Sequence, residues 1–481
     1  MTGGEEKKNI YRTIVKATGL FGGTQVFTIL CSIIKTKLVA IWLGAEGVGI
    51  IGLYNNTVEM ISSLTRLGIG TSSVRDLSKA FKSGDESRFA ELVSVVRRWI
   101  WFTGLLGAVV MLTFAPLLSR YTFGDDAHIW GYVFLSCTLL FTTLTEGERA
   151  VIQASERLRV LARCSVLGSF FALLLSLPLF YFFGIVPAII AHTFSIWVVT
   201  VSLGRKMKVK PVKMSWTETY RQGKNIASLG IYMTVSGFVT TLYSYLFVAW
   251  LNDRGGTGEV GFFQAGYTLV MQYVGLVFTA MSMEYYPRLS AVCEDKVLLS
   301  EHVTRQVETS LLILAPVISL FLIFQNLIIH ILYTPAFLAI SGYISWAVLG
   351  MLFRAFSWSV SFVLLAKGAG RIFLITEIVA DSLMFVMYLV GYTHWGLQGV
   401  GVAYLLAYLF SMTGIYMVCH LKFGLHIPVR MFVSLFVYSS LCYFVWLLWS
   451  DDCLAGAYSL TAFICLFTGF QLKKKIFCKS K

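Results

Sequence analysis

Fourteen apolar runs, each of roughly 20 residues or more, divide this chain of 481 residues. A run of that length crosses the hydrocarbon core of a bilayer as a helix, which satisfies its own backbone hydrogen bonds there. Hydrophobic residues make up 57% of the chain and charged residues 13%, against about 25% charged residues in soluble proteins. The sequence therefore predicts an all-α polytopic membrane protein, with helices near 14–42, 47–74, 95–117, 128–149, 163–183, 185–204, 226–250, 259–285, 307–329, 339–365, 372–393, 396–420, 430–449 and 454–472.

Positive charge is distributed unevenly among the segments that connect these runs. If the N terminus is cytoplasmic, 33 of the 39 lysines and arginines lie in cytoplasmic segments, and the outer loops hold only Arg120 and Arg254. Lysine and arginine are enriched in the cytoplasmic loops of membrane proteins. We therefore expect both termini to be cytoplasmic, which fits an even number of helices.

Residues recur at a constant offset of 212 positions, which indicates an internal duplication. The matches include loop and basic residues: Val48-Gly49 with Val260-Gly261, Tyr121-Thr122 with Tyr333-Thr334, Arg159 with Arg371, and Gly184 with Gly396. Six helices per copy would give both copies the same orientation. We expect a first six-helix bundle at 1–204, a basic cytoplasmic linker at 205–224, a second bundle at 225–424, and two extra helices with a basic tail at 425–481.

Polar residues inside predicted membrane helices are candidates for function, because they are energetically expensive there. On the second helix they recur at three- and four-residue steps, which places them on one face about 27 Å long: Asn55, Glu59, Ser62, Arg66, Gly70 and Ser73. Such a face lies against a water-filled cavity or a partner helix. In the second case, Glu59 would neutralise Arg66. The tenth helix carries a similar stripe around one cation, Arg354.

Two further pairs of charged residues fall inside predicted helices. Lys35 and Lys37 lie toward the outer end of the first helix, where they either line a cavity or extend to the outer head groups. Glu377 and Asp381 lie one turn apart on the eleventh helix. Two carboxylates in a low-dielectric site suit coupling to protons or cations, and the alternative is that they pair with basic residues at the inner rim.

Motifs of soluble enzymes are missing from the sequence, which has no Walker A sequence, GxSxG, HExxH or paired CxxC. The nine cysteines lie mostly within apolar runs and show no metal-type spacing. We therefore expect no catalytic residue, metal or cofactor. The energy for any transport would come from an ion gradient, the membrane potential or the substrate gradient.

Four stretches carry a resemblance to a known family: LGAEGVGIIGLYN after the first helix, SVRDLSKA after the second, ILYTPAF after the ninth, and GLQGVGVAYLLAY opening the twelfth. Over about residues 1–420 the chain resembles the polysaccharide-exporting branch of the multidrug/oligosaccharidyl-lipid/polysaccharide exporter superfamily, and within it the O-antigen translocases. This resemblance implies two six-helix bundles that form a V and open alternately to either side. The two extra helices resemble those of the related lipid II flippases.

The resemblance also implies a substrate and a site. A cationic central cavity would receive the diphosphate and sugars of an undecaprenyl-linked repeat unit, while the lipid tail stays in the bilayer. The residues of the type this role needs are Arg66, Arg354, Lys35, Lys37 and Asn55, and the candidates for ion coupling are Glu59, Glu377 and Asp381. The implied location is the bacterial cytoplasmic membrane. The partners would be the lipid-linked glycan, the bilayer, and a polysaccharide polymerase with its chain-length machinery, without nucleic acid.

Three other classes of protein stay open as alternatives. A multidrug/cation antiporter of the same superfamily would need an acidic cavity, whereas the mid-membrane residues here include cations. A major-facilitator sugar permease usually carries a GxxxDRxGRR-like loop after its second helix, and this chain has SVRDLSKAFKSGDESRF there. A membrane enzyme of glycan assembly would be expected to carry a large outer loop, and none is predicted.

The charge distribution predicts that the linker is cytoplasmic. A cysteine introduced by Ser215→Cys, in a variant without the nine native cysteines, should react with a membrane-impermeant maleimide only after the cells are permeabilised. Labelling of this position on intact cells would contradict the predicted orientation.

Overall fold

The computed structural model describes residues 3–206, 212 and 214–477, so the predicted linker and basic tail fall partly outside the described residues. The described chain is helical almost throughout. Its helices are α1 (Gly3–Thr65), α2 (Ile69–Lys82), α3 (Glu86–Phe123), α4 (Ile129–Ala154), α5 (Leu158–Phe182), α6 (Ile185–Arg205), α7 (Trp216–Thr268), α8 (Leu276–Ala291), α9 (Lys296–Leu332), α10 (Ser341–Ala366), α11 (Gly370–Phe423), α12 (Val429–Ser450) and α13 (Leu454–Phe477).

Three of these helices are too long to cross a bilayer only once. As a straight helix, the 54 residues of α11 would extend about 80 Å, whereas the hydrocarbon core is about 30 Å thick. Each long helix is broken at a glycine with positive φ: Gly44 (64°) in α1, Gly256 (77°) in α7 and Gly396 (59°) in α11. Among the described residues eleven helices are long and apolar enough to span, and three of them hold a break. The predicted fourteen crossings and the all-α fold class are confirmed.

The chain reverses direction at the break in α11. A Cβ on Gly399 would lie 1.9 Å from the carbonyl oxygen of Gly391, although a straight helix would separate these two residues by about 12 Å. The stretches on either side of Trp395 therefore approach each other at backbone distance. Glycine at 391 and 399 permits this approach because it has no side chain.

The predicted duplication is visible in the helix bounds. Both ends of α4 (Ile129–Ala154) and of α10 (Ser341–Ala366) are offset by 212 residues, and so are the starts of α5 and α11. Backbone positions with positive φ repeat at the same offset: Gly44 with Gly256, Glu156 with Gly368, and Gly184 with Gly396. The same backbone plan is therefore built twice.

By its internal contacts the chain divides into two compact units, Met1–Thr257 and Gly258–Lys481. In the first unit α4 packs against α3 and α6, and α5 packs against α1 and α6. Leu77, Val95 and Val151 belong to one buried apolar cluster there. In the second unit α10 packs against α9, α11 and α12, while α12 and α13 both pack against α9.

The second membrane segment is shorter than the sequence predicts. The prediction was a helix at 47–74, but α1 ends at Thr65 because Leu67 and Gly68 adopt positive φ angles of 51° and 63°. The next residues form the short amphipathic helix α2, which packs against α3 and α4. The predicted polar stripe was therefore wrong beyond Arg66, because Gly70 and Ser73 belong to α2.

The close backbone contact at the break in α11 predicts that even a methyl side chain at Gly399 lowers the stability of the protein. Gly399→Ala should destabilise the protein by about 1–3 kcal/mol, because the added methyl group meets backbone that cannot rotate away. Gly414→Ala on the same helix is the matched control, since a Cβ there meets nothing within 4 Å. Thermal unfolding of the purified variants measures both effects. Equal midpoints for the two variants would contradict the backbone contact.

Candidate substrate-binding site

In the first unit, Arg66 follows directly after α1 and forms an ion pair with Glu146 of α4. The Nη1 atom of Arg66 lies 2.5 Å from Oε1 of Glu146, and the two side chains are 21% and 45% exposed. The Nε atom of Arg66 is buried and has no hydrogen-bond partner in the described chain. The guanidinium group therefore keeps a donor that a ligand entering this site could use.

The acid that neutralises Arg66 is not the one that the sequence indicated. The hypothesis of a pair between Glu59 and Arg66 was wrong, because Arg66 pairs with Glu146. Glu59 is exposed on α1 and forms no ion pair within the described ranges, although its charge acts on that of Glu146. Arg149 also acts on Glu146 and donates a hydrogen bond of 3.1 Å to Ser165.

Asn55 and its neighbour Asn56 differ in their surroundings on the second half of α1. Asn56 accepts a hydrogen bond of 2.9 Å from the Ser244 hydroxyl group and donates one of 2.8 Å to the Gly52 carbonyl group. Asn55 has an exposed side chain. Asn56 therefore has a structural role between α1 and α7, and Asn55 is the one open to a ligand.

In the second unit, Arg354 of α10 lies in a cage of sulfur and aromatic groups. Its Nη1 atom contacts the sulfur of Met271 and donates a hydrogen bond of 3.3 Å to the Tyr404 hydroxyl group. Its guanidinium carbon lies 5.4 Å from the ring centre of Phe278 and 5.6 Å from that of Tyr408, at cation–π distance. Within the described part of the chain, Arg354 forms no ion pair.

Three elements build this cage around Arg354: α11, the π-helical turn Leu269–Val274, and α8, which carries Phe278. Tyr404 and Tyr408 are four residues apart in α11, which places them on one face of the helix after the break. Met271 comes from Leu269–Val274, one turn of π-helix between α7 and α8. Turns of π-helix are rare in proteins overall, but those that occur are often found at functional sites. The extra residue in the turn redirects the side chains that follow.

Glu377 and Asp381 lie on α11 before its break and are both half-buried. The charge of Glu377 is affected by Asp381 and by Arg354, so the three groups share one electrostatic environment inside the second unit. Lys367, one of the alternative partners at the rim, instead lies 3.9 Å from Glu294. The two carboxylates therefore belong to the same unit as the arginine cage, and the charge of Arg354 acts on Glu377.

Lys35 and Lys37 occupy separate positions on the first half of α1. Lys35 is half-buried, and its charge acts on His192 of α6, whose Nδ1 atom is buried without a partner among the described residues. Lys37, two positions further on, is also half-buried and faces a different side of the helix. The first unit thus holds Lys35 next to a histidine and Arg66 next to a carboxylate.

Sequence analysis did not identify most of the residues that contact these cations. Tyr404 and Tyr408 stand in the stretch GLQGVGVAYLLAY, and their four-residue spacing was a signal that could have placed them on one face. Glu146 gave no such signal, because it lies 80 positions from Arg66. Met271 gave none either, since nothing in its surroundings marks a π-helical turn.

The helix plan defines an all-α multi-pass membrane protein, and solved structures show which known folds it resembles. The fold is similar to an inward-facing multidrug resistance MATE family transporter of the MOP superfamily, with a TM-score of 0.68 and 15% identity over 83% of this chain and 94% of that one. It is similar to the lipid II flippase MurJ in an inward closed conformation, with a TM-score of 0.64 and 13% identity over 95% and 99% of the two chains. A MOP superfamily transporter from Pyrococcus furiosus gives a TM-score of 0.61 and 14% identity over 85% and 94%.

The particular family is shown by the sequence. The family model described as "Polysaccharide biosynthesis protein" matches residues 38–342, which is more than half of the chain. The chain belongs to this family. No curated protein matches the sequence. The protein is therefore a multi-pass membrane protein of a polysaccharide biosynthesis family, and its fold is similar to those of a MATE transporter and of MurJ.

The pair of Arg66 and Glu146 predicts how a substrate role differs from a structural one. Arg66→Ala should lower export strongly and membrane abundance slightly, because Glu146 loses its ion-pair partner at a cost of about 0.2–1 kcal/mol for a partly exposed pair. Arg66→Ala combined with Glu146→Gln should restore abundance but not export. Arg75→Ala serves as control, because Arg75 is an exposed arginine paired only with its neighbour Asp76.

Export and abundance are measured together by surface-glycan labelling and immunoblotting of membranes. Recovery of export in the double variant would contradict a substrate role for Arg66 and would make it a structural residue.

Proposed function

We propose that this protein is a flippase that moves an undecaprenyl-diphosphate-linked oligosaccharide, such as an O-antigen repeat unit, from the cytoplasmic to the outer leaflet by alternating access. Its family acts in polysaccharide biosynthesis, and its fold is that of transporters and flippases. A lipid-linked glycan carries two negative phosphates that must cross a low-dielectric core. A protein that moves it therefore needs fixed positive charge within the membrane.

The observation that carries the proposal is Arg354 without an acidic partner. Its contacts are a hydroxyl group, the sulfurs of Met271 and Met351, and two aromatic rings, which leave its positive charge uncompensated at close range. Arginine offers forked donors that match the oxygens of a phosphate. A bound diphosphate would supply the missing negative charge.

The first unit contributes a second set of donors in this proposal. The Nε atom of Arg66 is buried and unbonded, so Arg66 can bind phosphate while its Nη1 atom stays on Glu146. Lys35 and Lys37 add positive charge, and Asn55 offers an exposed amide that suits sugar hydroxyl groups. These roles are proposals for each residue separately.

Ion coupling is assigned to the acidic residues near these cations. Glu377 and Asp381 are one turn apart, and the charge of Glu377 is affected by Arg354, so a proton or cation taken up there would change the field at the arginine. In the first unit the same role is proposed for Glu59, because its charge acts on Glu146, the ion-pair partner of Arg66. Uptake and release at these groups would bias the affinity for the diphosphate.

A multidrug/cation antiporter is the second candidate, because the fold is similar to a multidrug resistance transporter. Such a protein would bind cationic drugs, and Arg354 would repel them. We place the protein in the bacterial cytoplasmic membrane with both termini in the cytoplasm, and with a polymerase and chain-length machinery acting after it.

The test is a deletion strain complemented with variants of Arg354. Deletion should stop surface glycan while lipid-linked repeat units accumulate on the cytoplasmic leaflet. Arg354→Ala should fail to restore export, and Arg354→Lys should restore it partly, because a point charge loses the forked geometry. Arg305→Ala is the control, since Arg305 pairs with Glu301 on an exposed surface of α9.

The lipid-linked intermediate is quantified after extraction, and its leaflet is assigned by its accessibility to a lectin in sealed vesicles. A strain that made no lipid-linked intermediate would indicate an enzyme of synthesis instead. Full export by Arg354→Ala at normal abundance would refute the role of this cation.

A further inference from the structure

A small cavity of about 110 Å³ lies within the first unit, at the ends of α3, α4 and α6 where basic residues cluster. Its walls include Arg97 and Trp101 of α3, Glu148 of α4, and Trp197 and Arg205 of α6. One water molecule needs about 10–15 Å³ of such space, so this cavity accommodates a phosphate-sized group. None of the roles proposed above uses it.

The cavity is separate from the site at Arg66. Glu146 and Glu148 are two residues apart on α4, and residues at that spacing point to different sides of a helix. Glu146 pairs with Arg66, whereas Glu148 pairs with Arg97. The two ion pairs therefore lie on different sides of α4.

The cavity holds one arginine, Arg205, that forms no ion pair with any described residue. The Nε and Nη2 atoms of Arg97 donate hydrogen bonds of 2.7 and 2.9 Å to the two oxygens of Glu148. That carboxylate is 11% exposed and fully engaged, so it does not hold Arg205. Within the part of the chain that the structure describes, Arg205 has no ion pair, and it stands at the end of α6 as a surplus cation.

The cavity opens beside a lipid-facing surface. Trp101, Leu105, Val109 and Leu112 follow one another at three- and four-residue steps along α3, and all four are exposed apolar side chains. Such a stripe on a membrane helix faces lipid. Tryptophan at the end of such a stripe is typical of the level of the lipid head groups.

We propose that this cavity binds the phosphate of an anionic phospholipid head group, with Arg205 as its main cationic contact and the two tryptophans flanking it. The charge distribution predicts that this end of the helices is cytoplasmic, where anionic lipids are enriched, and basic pockets between membrane helices on that side bind such head groups. The acyl chains would lie along the stripe that begins at Trp101.

The experiment uses the purified full-length protein in detergent and titrates it with phosphatidylglycerol or phosphatidylcholine. Native mass spectrometry counts the lipids bound to each molecule. We expect the wild-type protein to bind phosphatidylglycerol more tightly than phosphatidylcholine. Arg205→Ala should weaken the binding of phosphatidylglycerol about fivefold, the effect of one basic residue on an anionic lipid. Arg205→Lys should retain most of it.

Arg159→Ala is the matched control, because Arg159 is an exposed arginine of the first unit that does not line the cavity. It should change the affinity for phosphatidylglycerol by less than twofold. If Arg205→Ala and Arg159→Ala weakened the binding of phosphatidylglycerol equally, the effect would come from general surface charge, and the proposed site would be overturned. No loss in Arg205→Ala would overturn it as well.

A second titration distinguishes the source of the phosphate. Inorganic phosphate that displaces phosphatidylglycerol from the wild-type protein, but not from Arg205→Ala, would show that free phosphate enters the same cavity. Absence of displacement would assign the cavity to the lipid alone. The lipid assignment fails if phosphatidylglycerol and phosphatidylcholine bind equally well. The export assay above does not bear on this result, so the two proposals fail independently.

Discussion

The structure depends on one constraint, that a backbone in hydrocarbon must bond to itself. The described chain meets it by forming helix almost everywhere, and it reverses at glycines where a side chain would be strained. Gly44, Gly256 and Gly396 break the three longest helices, and Gly184 separates α5 from α6 with a φ of 84°. Because the breaks fix where each helix begins, they also fix which side chains face each other. The arginine cage depends on one of them, since Tyr404 and Tyr408 follow the break at Gly396.

The duplicated plan carries its two arginines on different helices. Adding the offset of 212 residues to Arg66 leads to Phe278, and subtracting it from Arg354 leads to Thr142. In the first unit the arginine extends from the α1 side to Glu146 of α4. In the second unit it extends from α10, the counterpart of α4, and lies over Phe278. Both copies thus place one arginine between their second and fourth segments. The two copies differ in the helix that supplies the arginine.

The sequence alone could predict what depends on hydropathy and on local backbone chemistry. It predicted fourteen crossings, the turn between 393 and 396, and the offset of 212 residues, because apolar length and glycine content are local properties. It could not predict the end of α1 at Thr65, since Leu67 takes a positive φ that leucine rarely adopts. It also missed the partner of Arg66, because Glu59 and Glu146 are both glutamates and only packing decides which one approaches. Tertiary contacts, rather than composition, selected the pair.

The two arginines differ in what a ligand must displace. Arg66 is held by a carboxylate, and an incoming phosphate has to share the guanidinium group with Glu146 or compete with Glu146 for it. Arg354 is held by a hydroxyl group, sulfur atoms and aromatic rings, whose individual contacts with a cation are worth only about 0.5–2 kcal/mol. These contacts keep the cation in position without neutralising it. If the proposed function holds, a phosphate would gain more at Arg354 than at Arg66, because no carboxylate competes for Arg354 within the described chain.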